Sequence, residues 1–374
     1  RTQDWQGELN QAKEEWRTLL NRTARIMVPD VGVWNAFYAC IGDLFIMREP
    51  VAEGYIVGTP GTDGYRAPNA GEAAIVAIAL DQLGLHKEAA YGFQMCLDQQ
   101  GENGDWNDPK GWGHLMWAMS GFKSWMLMEH YRLTGDRAYL EKVFPRMVAN
   151  SRWQEKQRAR TRVMKDNERP LTFGLMPRGM GDCGLKDGDD LYGVFLPHNC
   201  WAVYADRMAV EAAEILGKKD DAESLKKIHD VALGDLMAAL DKGAITEGDY
   251  RWIPGVPGKT CGSRWGALNA LTPCGILPMD HPLINGTMQK LRANMSPGGL
   301  PLNTGWMPNG LWVAIALDNL AEAHLLRGEG DEAADLLYAT LNHGTPLYTW
   351  CEERAPQPNA AETTGDRQHL WTPV

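Results

Sequence analysis

The chain lacks any apolar run long enough to cross a membrane as a helix, which takes about 20 residues. None of its seven cysteines forms a Cys-x-x-Cys pair, so neither a zinc ribbon nor a thioredoxin-type centre is indicated. Basic residues are not in excess: 37 Lys and Arg against 48 Asp and Glu leave a net charge of -11. That balance argues against nucleic acid or an anionic membrane as partner. No metal or cofactor motif is present, and neither group is expected. An odd cysteine number fits free, mostly buried thiols, and so a cytoplasmic or periplasmic setting over an extracellular one. Residues 1–5 carry no apolar signal segment.

What is present is aromatic and glycine-rich: 15 Trp and 40 Gly, gathered between helical segments more than within them. Indole faces flanked by hydrogen-bonding groups suit a polar ligand with apolar faces, such as a sugar ring. Residues 6–23 read as an amphipathic helix, with Leu9, Trp16, Leu19 and Leu20 at helical spacing, and 1–30 as a linker ahead of one domain over 31–374. Residues 34–48 form a mostly apolar helix in which Asp43 is either a paired structural carboxylate or a group facing a cavity.

A unit then repeats. Apolar helices over 73–83, 114–133, 196–216 and 311–327 end at Gly84, Gly135, Gly217 and Gly328. Return helices follow over 86–100, 136–157, 220–240 and 331–342, each opened by His or Asp. Glycine suits the left-handed position that stops a helix, and Asp caps the next by accepting backbone N–H bonds. A weaker fifth hairpin joins 264–271 to 281–295, interrupted by Pro273 and Pro278. Long connections rich in Gly, Pro, Trp and Asp separate the hairpins, so stacked hairpins put short turns on one face and long loops on the other. With 34–48 the count is eleven helices, and a twelfth begins near residue 368. The expectation is an all-α closed toroid of six helical hairpins, its last helix cut short; the uneven spacing of the turn glycines disfavours an open solenoid.

Two loop segments carry the candidate chemistry. The central one, residues 173–190, holds Asp182, Asp187, Asp189 and Asp190 among glycines. Loops of that length are usually functional. Cys183 in the same loop is a possible nucleophile, but a small loop residue is the better reading, because no His neighbours it. The other segment is C-terminal: Tyr348-Thr349-Trp350-Cys351-Glu352-Glu353, then Thr364-Gly365-Asp366-Arg367-Gln368-His369-Leu370-Trp371-Thr372.

In this architecture, in Pro177-Arg178-Gly179-Met180-Gly181-Asp182 and in the C-terminal segment, the chain resembles six-hairpin, (α/α)6-barrel glycosidases: glucoamylases, trehalases, processing α-glucosidases and α-L-rhamnosidases. The resemblance implies Asp182 as general acid and Glu352, with Glu353 beside it, as general base. Asp187, Asp189 and Asp190 compete for the first role and Glu362 is an outside candidate for the second. Inverting hydrolysis needs such a pair, held roughly 6.5–9.5 Å apart. Candidate sugar-binding residues are Asp63, Tyr65, Arg66, Asp105, Trp106, Trp112, Arg178, His198, Trp265, Trp306, Trp350 and His369. The implied partner is an oligosaccharide or glycoside, α-L-rhamnoside- or α-glucoside-type, cleaved from its end.

Other readings stay open. Arg66, Arg178 and Arg264 fit an acidic sugar, since Arg pairs bidentately with carboxylate. A polysaccharide lyase or unsaturated glucuronyl hydrolase on the same toroid would use Tyr65 with Arg66, or Tyr192 with His198. A sugar epimerase would need paired histidines, and none occur among the nine. A non-catalytic carbohydrate-binding protein would keep the tryptophans and need no carboxylate pair.

Overall fold

The computed structural model describes residues 4–61, 66, 70–106, 116–181, 192–261, 266–304, 310–313, 320–355, 363–364 and 369. Helices dominate: α1 (Trp5–Arg22), α2 (Val31–Ile46), α3 (Ala70–Gln82), α4 (His86–Asp98), α5 (Met119–Thr134), α6 (Arg137–Ala159), α7 (Leu196–Leu216) and α8 (Lys219–Gly243). They continue as α9 (Pro282–Arg292), α10 (Glu322–Leu326) and α11 (Gly330–Asn342). Short strands lie in the connections: β1 (Arg48–Ala52) with β2 (Tyr55–Gly58), β3 (Gly179–Met180) with β4 (Tyr192–Gly193), and β5 (Ile245–Glu247) with β6 (Tyr250–Trp252). A three-stranded sheet joins β7 (Leu311–Trp312), β8 (Glu353–Arg354) and β9 (Thr363–Thr364) in that order.

Two layers of helix follow from two kinds of sequence. Every residue from 73 to 81 on α3 and from 196 to 206 on α7 is buried, so these helices are covered all round. They pack in succession, α3 on α5 and α5 on α7. Their partners α4, α6 and α8 back them and bury one stripe each, as with Leu225, Ala232, Leu236, Ala239 and Leu240 on α8. The chain then closes on itself. The last described helix, α11, packs on α2, where Tyr338 donates to Asp30 Oδ2 at 3.1 Å. Gly61, from the first long connection, pairs with His369 near the C-terminus. The toroid is thus an inner ring inside an outer one, and α1, none of whose residues is buried, lies outside both.

The tight turns are built as the sequence indicates. Gly135 and Gly217 adopt φ 66° and 72°, and each ends its helix in the left-handed region that side chains resist. Asp136 caps α6 by accepting from Tyr139 N at 2.8 Å. Elsewhere the capping expectation fails. Leu85, Lys218 and Glu329 occupy the cap positions without a side-chain bond, while Asp220 and Asp331 fall in the first helical turn, where a negative charge still meets the helix dipole favourably. His86 turns its imidazole back to Asp81 Oδ1, 2.9 Å away.

Three further expectations need correction. The first helix of the fifth hairpin is not formed over its described part, and residues 266–274 run as consecutive turns. Pro273 cannot donate to a helical ladder and turns the residue before it from the helical region. The segment 311–327 begins as a strand, because Leu311 and Trp312 pair with Arg354 and Glu353. Asp43 is not a paired structural carboxylate, the first of the two readings above: its Oδ2 is buried with no hydrogen-bond partner, and burial pushes its pKa up to about 6.

The described cysteines are free thiols, all buried except the half-buried Cys40, and Cys183 lies outside the described residues. Replacing Gly217 by Ala tests the turn geometry, since the site has open space for a Cβ but φ is 72°. The backbone strain alone should lower unfolding free energy by about 1 kcal/mol. An unchanged urea midpoint at equal m-value would show that the left-handed turn is not maintained.

Candidate active site

Inner helices begin where the long connections end, so the connections meet at one mouth. Their mutual bonds show it. Trp117, ahead of α5, donates its indole N–H to the Pro177 carbonyl at 2.6 Å. Leu196 N, opening α7, donates to Gly255 O at 2.9 Å, and Gly61 of the first long connection pairs with His369 of the last. The tight turns gather at the opposite end. There Arg137 donates to Ile215 O at 2.5 Å, Arg132 pairs with Glu211 at 2.7 Å, and His130 Nδ1 lies 2.9 Å from Asp81 Oδ2. The positive ends of α5 and α7 therefore point to the mouth, which favours anionic groups there.

The root of the central loop is firmly built. Gly179 pairs with Gly193 and Met180 with Tyr192, so β3 and β4 pinch the two ends of residues 181–191 together. Asn199, buried on the first turn of α7, accepts from Met176 N at 2.7 Å and donates to Phe195 O at 2.7 Å. Arg178 is exposed and its Nε donates to the Tyr192 carbonyl at 3.2 Å. Beneath them Trp117, Trp153, Met176 and Ala202 form a separate buried cluster.

At the C-terminal segment, strand alternation separates the two glutamates. Trp350 donates its indole N–H to Thr340 O at 2.9 Å, and Arg354 Nη1 donates to His343 O at 2.6 Å. Both reach the end of the outer helix α11. Successive strand side chains point to opposite faces, so Glu353 on β8 takes the face opposite Arg354. It is fully buried, at 0% exposure, and opposes Trp312 on one side and Thr364 on the other. Glu352, just ahead of the strand, is half-buried.

The other sequence candidates divide clearly. Asp63, Tyr65, Trp112, Asp182, Trp265 and Trp306 lie outside the described residues, as do Asp187, Asp189, Asp190, Arg264 and Glu362. Arg66 is exposed and forms an ion pair with Glu49 of β1. Asp105 belongs to a closed turn, its carbonyl accepting from Gly101 N at 2.8 Å.

Two candidate tryptophans, Trp106 and Trp350, have their rings buried in the protein. Trp106 is 0% exposed, with its indole given to Cys96 O at 2.9 Å, and Trp350 is also buried. The buried Lys123 donates to the Trp106 carbonyl and lies 5.8 Å from its ring centroid. His369 is buried beside Trp350 and Gly61 at the ring closure. His198 is wholly buried against Phe195, and desolvation pulls its pKa down to about 3. It is therefore neutral at ordinary pH. Sequence reading missed Trp117, Phe195 and Asn199; the one signal for them was the helix start at Pro197 directly after the central loop.

Comparison with solved structures bears on the fold. The chain matches a bacterial glucoamylase complexed with acarbose at TM-score 0.72 and 14% identity, over 99% of this chain and 58% of that one. It thus spans little more than half of that glucoamylase. It matches a glycosidase in complex with glucose at TM-score 0.66 and 13% identity, over 93% of this chain and 96% of that one. A GH78 family rhamnosidase of Bacillus sp. GL1 matches at TM-score 0.65 and 13% identity, over 94% of this chain and 35% of that one. The fold is therefore the (α/α)6 toroid found in glycosidase structures. No protein-family model matches the chain. No curated protein matches it in sequence.

The neutral His198 has a measurable consequence. Below the ordinary value of 6.5 the unfolded chain takes up a proton that the native state, at about 3, refuses. Stability is thus lost as pH falls through that window. The His198→Gln variant should show a pH dependence of unfolding free energy shallower by about one proton between pH values near 6 and near 4. Equal slopes in both proteins would mean that His198 protonates in place.

Proposed function

We propose that the protein is a glycoside hydrolase that binds a terminal sugar at the mouth of the toroid and cleaves its glycosidic bond with inversion. One observation carries this reading. In a fold shared with glycosidase structures, the two acidic segments adjoin the starts of inner helical segments, the mid-chain one at α7 and the C-terminal one through β7 and β8.

In the proposed mechanism Asp182 is the general acid. Its carboxyl proton passes to the glycosidic oxygen as the bond to the anomeric carbon breaks. A glutamate of the 352–353 pair is the base: it takes a proton from water, whose oxygen bonds to the anomeric carbon from the opposite face. The two carboxyls exchange protonation states during turnover and reset through solvent. Both glutamates are candidates for the base, and the separate glutamine variants below distinguish them. The substrate class we favour is an α-glucoside or α-L-rhamnoside attacked from its non-reducing end.

A second reading has one observation behind it. Arg178 bonds to the main chain of Tyr192, so an arginine and a tyrosine adjoin at the loop root, as a uronate-directed lyase would require. A product absorbing in the ultraviolet as an unsaturated uronate would select that reading.

The central test is a panel of aryl glycosides with wild type, Asp182→Asn, Glu352→Gln and Glu353→Gln. Asp182→Asn and one of the two glutamine variants should each lose about 10²–10⁴-fold in kcat. The first product should carry the opposite anomeric configuration by NMR. Full activity in all three variants would remove the assignment, and binding without turnover across the panel would favour a carbohydrate-binding protein.

A further inference from the structure

Resting on the hydrolase reading, we propose that Phe195, Asn199 and Trp117 form a positioning clamp that sets where the acidic stretch after Gly181 begins, and that Gly181 is glycine because of the Phe195 ring. The segment from Met176 to Gly181 is held at successive points by groups that belong to inner-helix starts. Asn199 fixes the Met176 amide at 2.7 Å, and Trp117 fixes the Pro177 carbonyl at 2.6 Å. Trp117 is itself fixed against Trp153, with ring centroids 5.5 Å apart. Residues 179 and 180 are paired to 193 and 192.

The last hold is steric. A Cβ placed on Gly181 would lie 2.1 Å from Phe195 Cζ, and one on Gly193 would lie 2.9 Å from the same atom. One buried ring therefore abuts both ends of the loop. That ring cannot easily retreat, since Phe195 is 1% exposed and His198 packs edge-on against it at 5.4 Å.

Loop closure does not require this degree of restraint, because the β3–β4 pairing already joins the ends. What the extra holds fix is the origin and direction of the chain entering the acidic stretch. General acid catalysis is sensitive to that: a displacement of about 1 Å at a catalytic group costs roughly 10²-fold. Bringing a Cβ from 2.1 Å to the 3.4 Å of ordinary contact demands a shift of that size. Phe195, Asn199 and Trp117 touch no reacting atom in this scheme; they act through residue 182.

The test compares substrates that need an acid with substrates that do not. The probes are methyl α-glucoside and methyl α-L-rhamnoside against α-glucosyl and α-L-rhamnosyl fluoride, whose leaving group departs without protonation. With Gly181→Ala, kcat on the methyl glycoside should fall about 10²-fold. KM and the fluoride rate should be little changed, and the alkaline limb of the pH profile on the methyl glycoside should weaken. Adding Phe195→Leu to Gly181→Ala makes room for the new methyl group and should restore much of the loss. That reciprocal rescue would not accompany a general loss of stability, which thermal unfolding of both variants reads separately.

Equal losses on methyl glycoside and fluoride, or no rescue in a folded double variant, would overturn the clamp while leaving the hydrolase reading in place. A Gly181→Ala protein that does not fold leaves Phe195→Leu alone to decide, with the same selective loss expected. Wild type that hydrolyses neither the fluorides nor any aryl glycoside would overturn the hydrolase reading, and the clamp with it.

Discussion

A helix in the inner ring of a two-layer toroid has no side on which to put an unpaired charge. Burying an ion without a partner costs several kcal/mol, and this one constraint arranges much of the molecule. α3 meets it with composition, running from Ala73 to Leu80 without a polar residue. α7 meets it with pairing: Asp206, wholly buried, accepts from Arg158 at 2.5 Å, from Ser151 at 2.6 Å and from Gln154 at 3.2 Å, all on the outer helix α6. Asp81, the one acid on the buried run of α3, lies against His130 and His86. Acids on inner helices are thus met by basic or polar groups, and Asp81 and Asp206 read as structural.

The same constraint explains why the fold was legible and the site was not. Two layers require inner helices apolar all round and outer helices apolar on one stripe, joined by turns too short for anything but a left-handed residue. Each of those demands writes itself locally, so Gly135, Gly217 and Asp136 could be assigned from their neighbours. The failures share the opposite property. β7 and β8 are two residues each and exist because Trp312 and Glu353 meet across 41 positions of chain. No local period encodes such a meeting. The burial of two tryptophans was hidden for a related reason: Trp106 and Trp350 lie in ligand-like loop sequence, yet each finds a backbone carbonyl, Cys96 O or Thr340 O, that lets its ring be buried.

Gly181 illustrates the same limit within a motif that was noticed. Its neighbours Gly179 and Gly184 invite the reading of a flexible acidic loop whose backbone approaches a ligand. In the structure the reason for glycine is an aromatic ring fourteen residues on, with Phe195 Cζ where a Cβ would go. Composition shows that a side chain is missing; only packing shows what takes its place.

The two segments proposed to supply the acid and the base are held by different means, and the difference follows from what each must do. A strand fixes side-chain direction by parity, so with Arg354 bonded to the end of α11, Glu353 takes the opposite face of β8. That suits a base, which must point at one water from a fixed wall. A loop has no parity, and its direction has to come from its root. The bonds at Met176 and Pro177 and the ring beneath Gly181 supply that direction from helix starts, the most rigid elements available at the mouth. In the proposed mechanism the strand and the rooted loop are complementary ways to fix the two carboxyl-bearing segments.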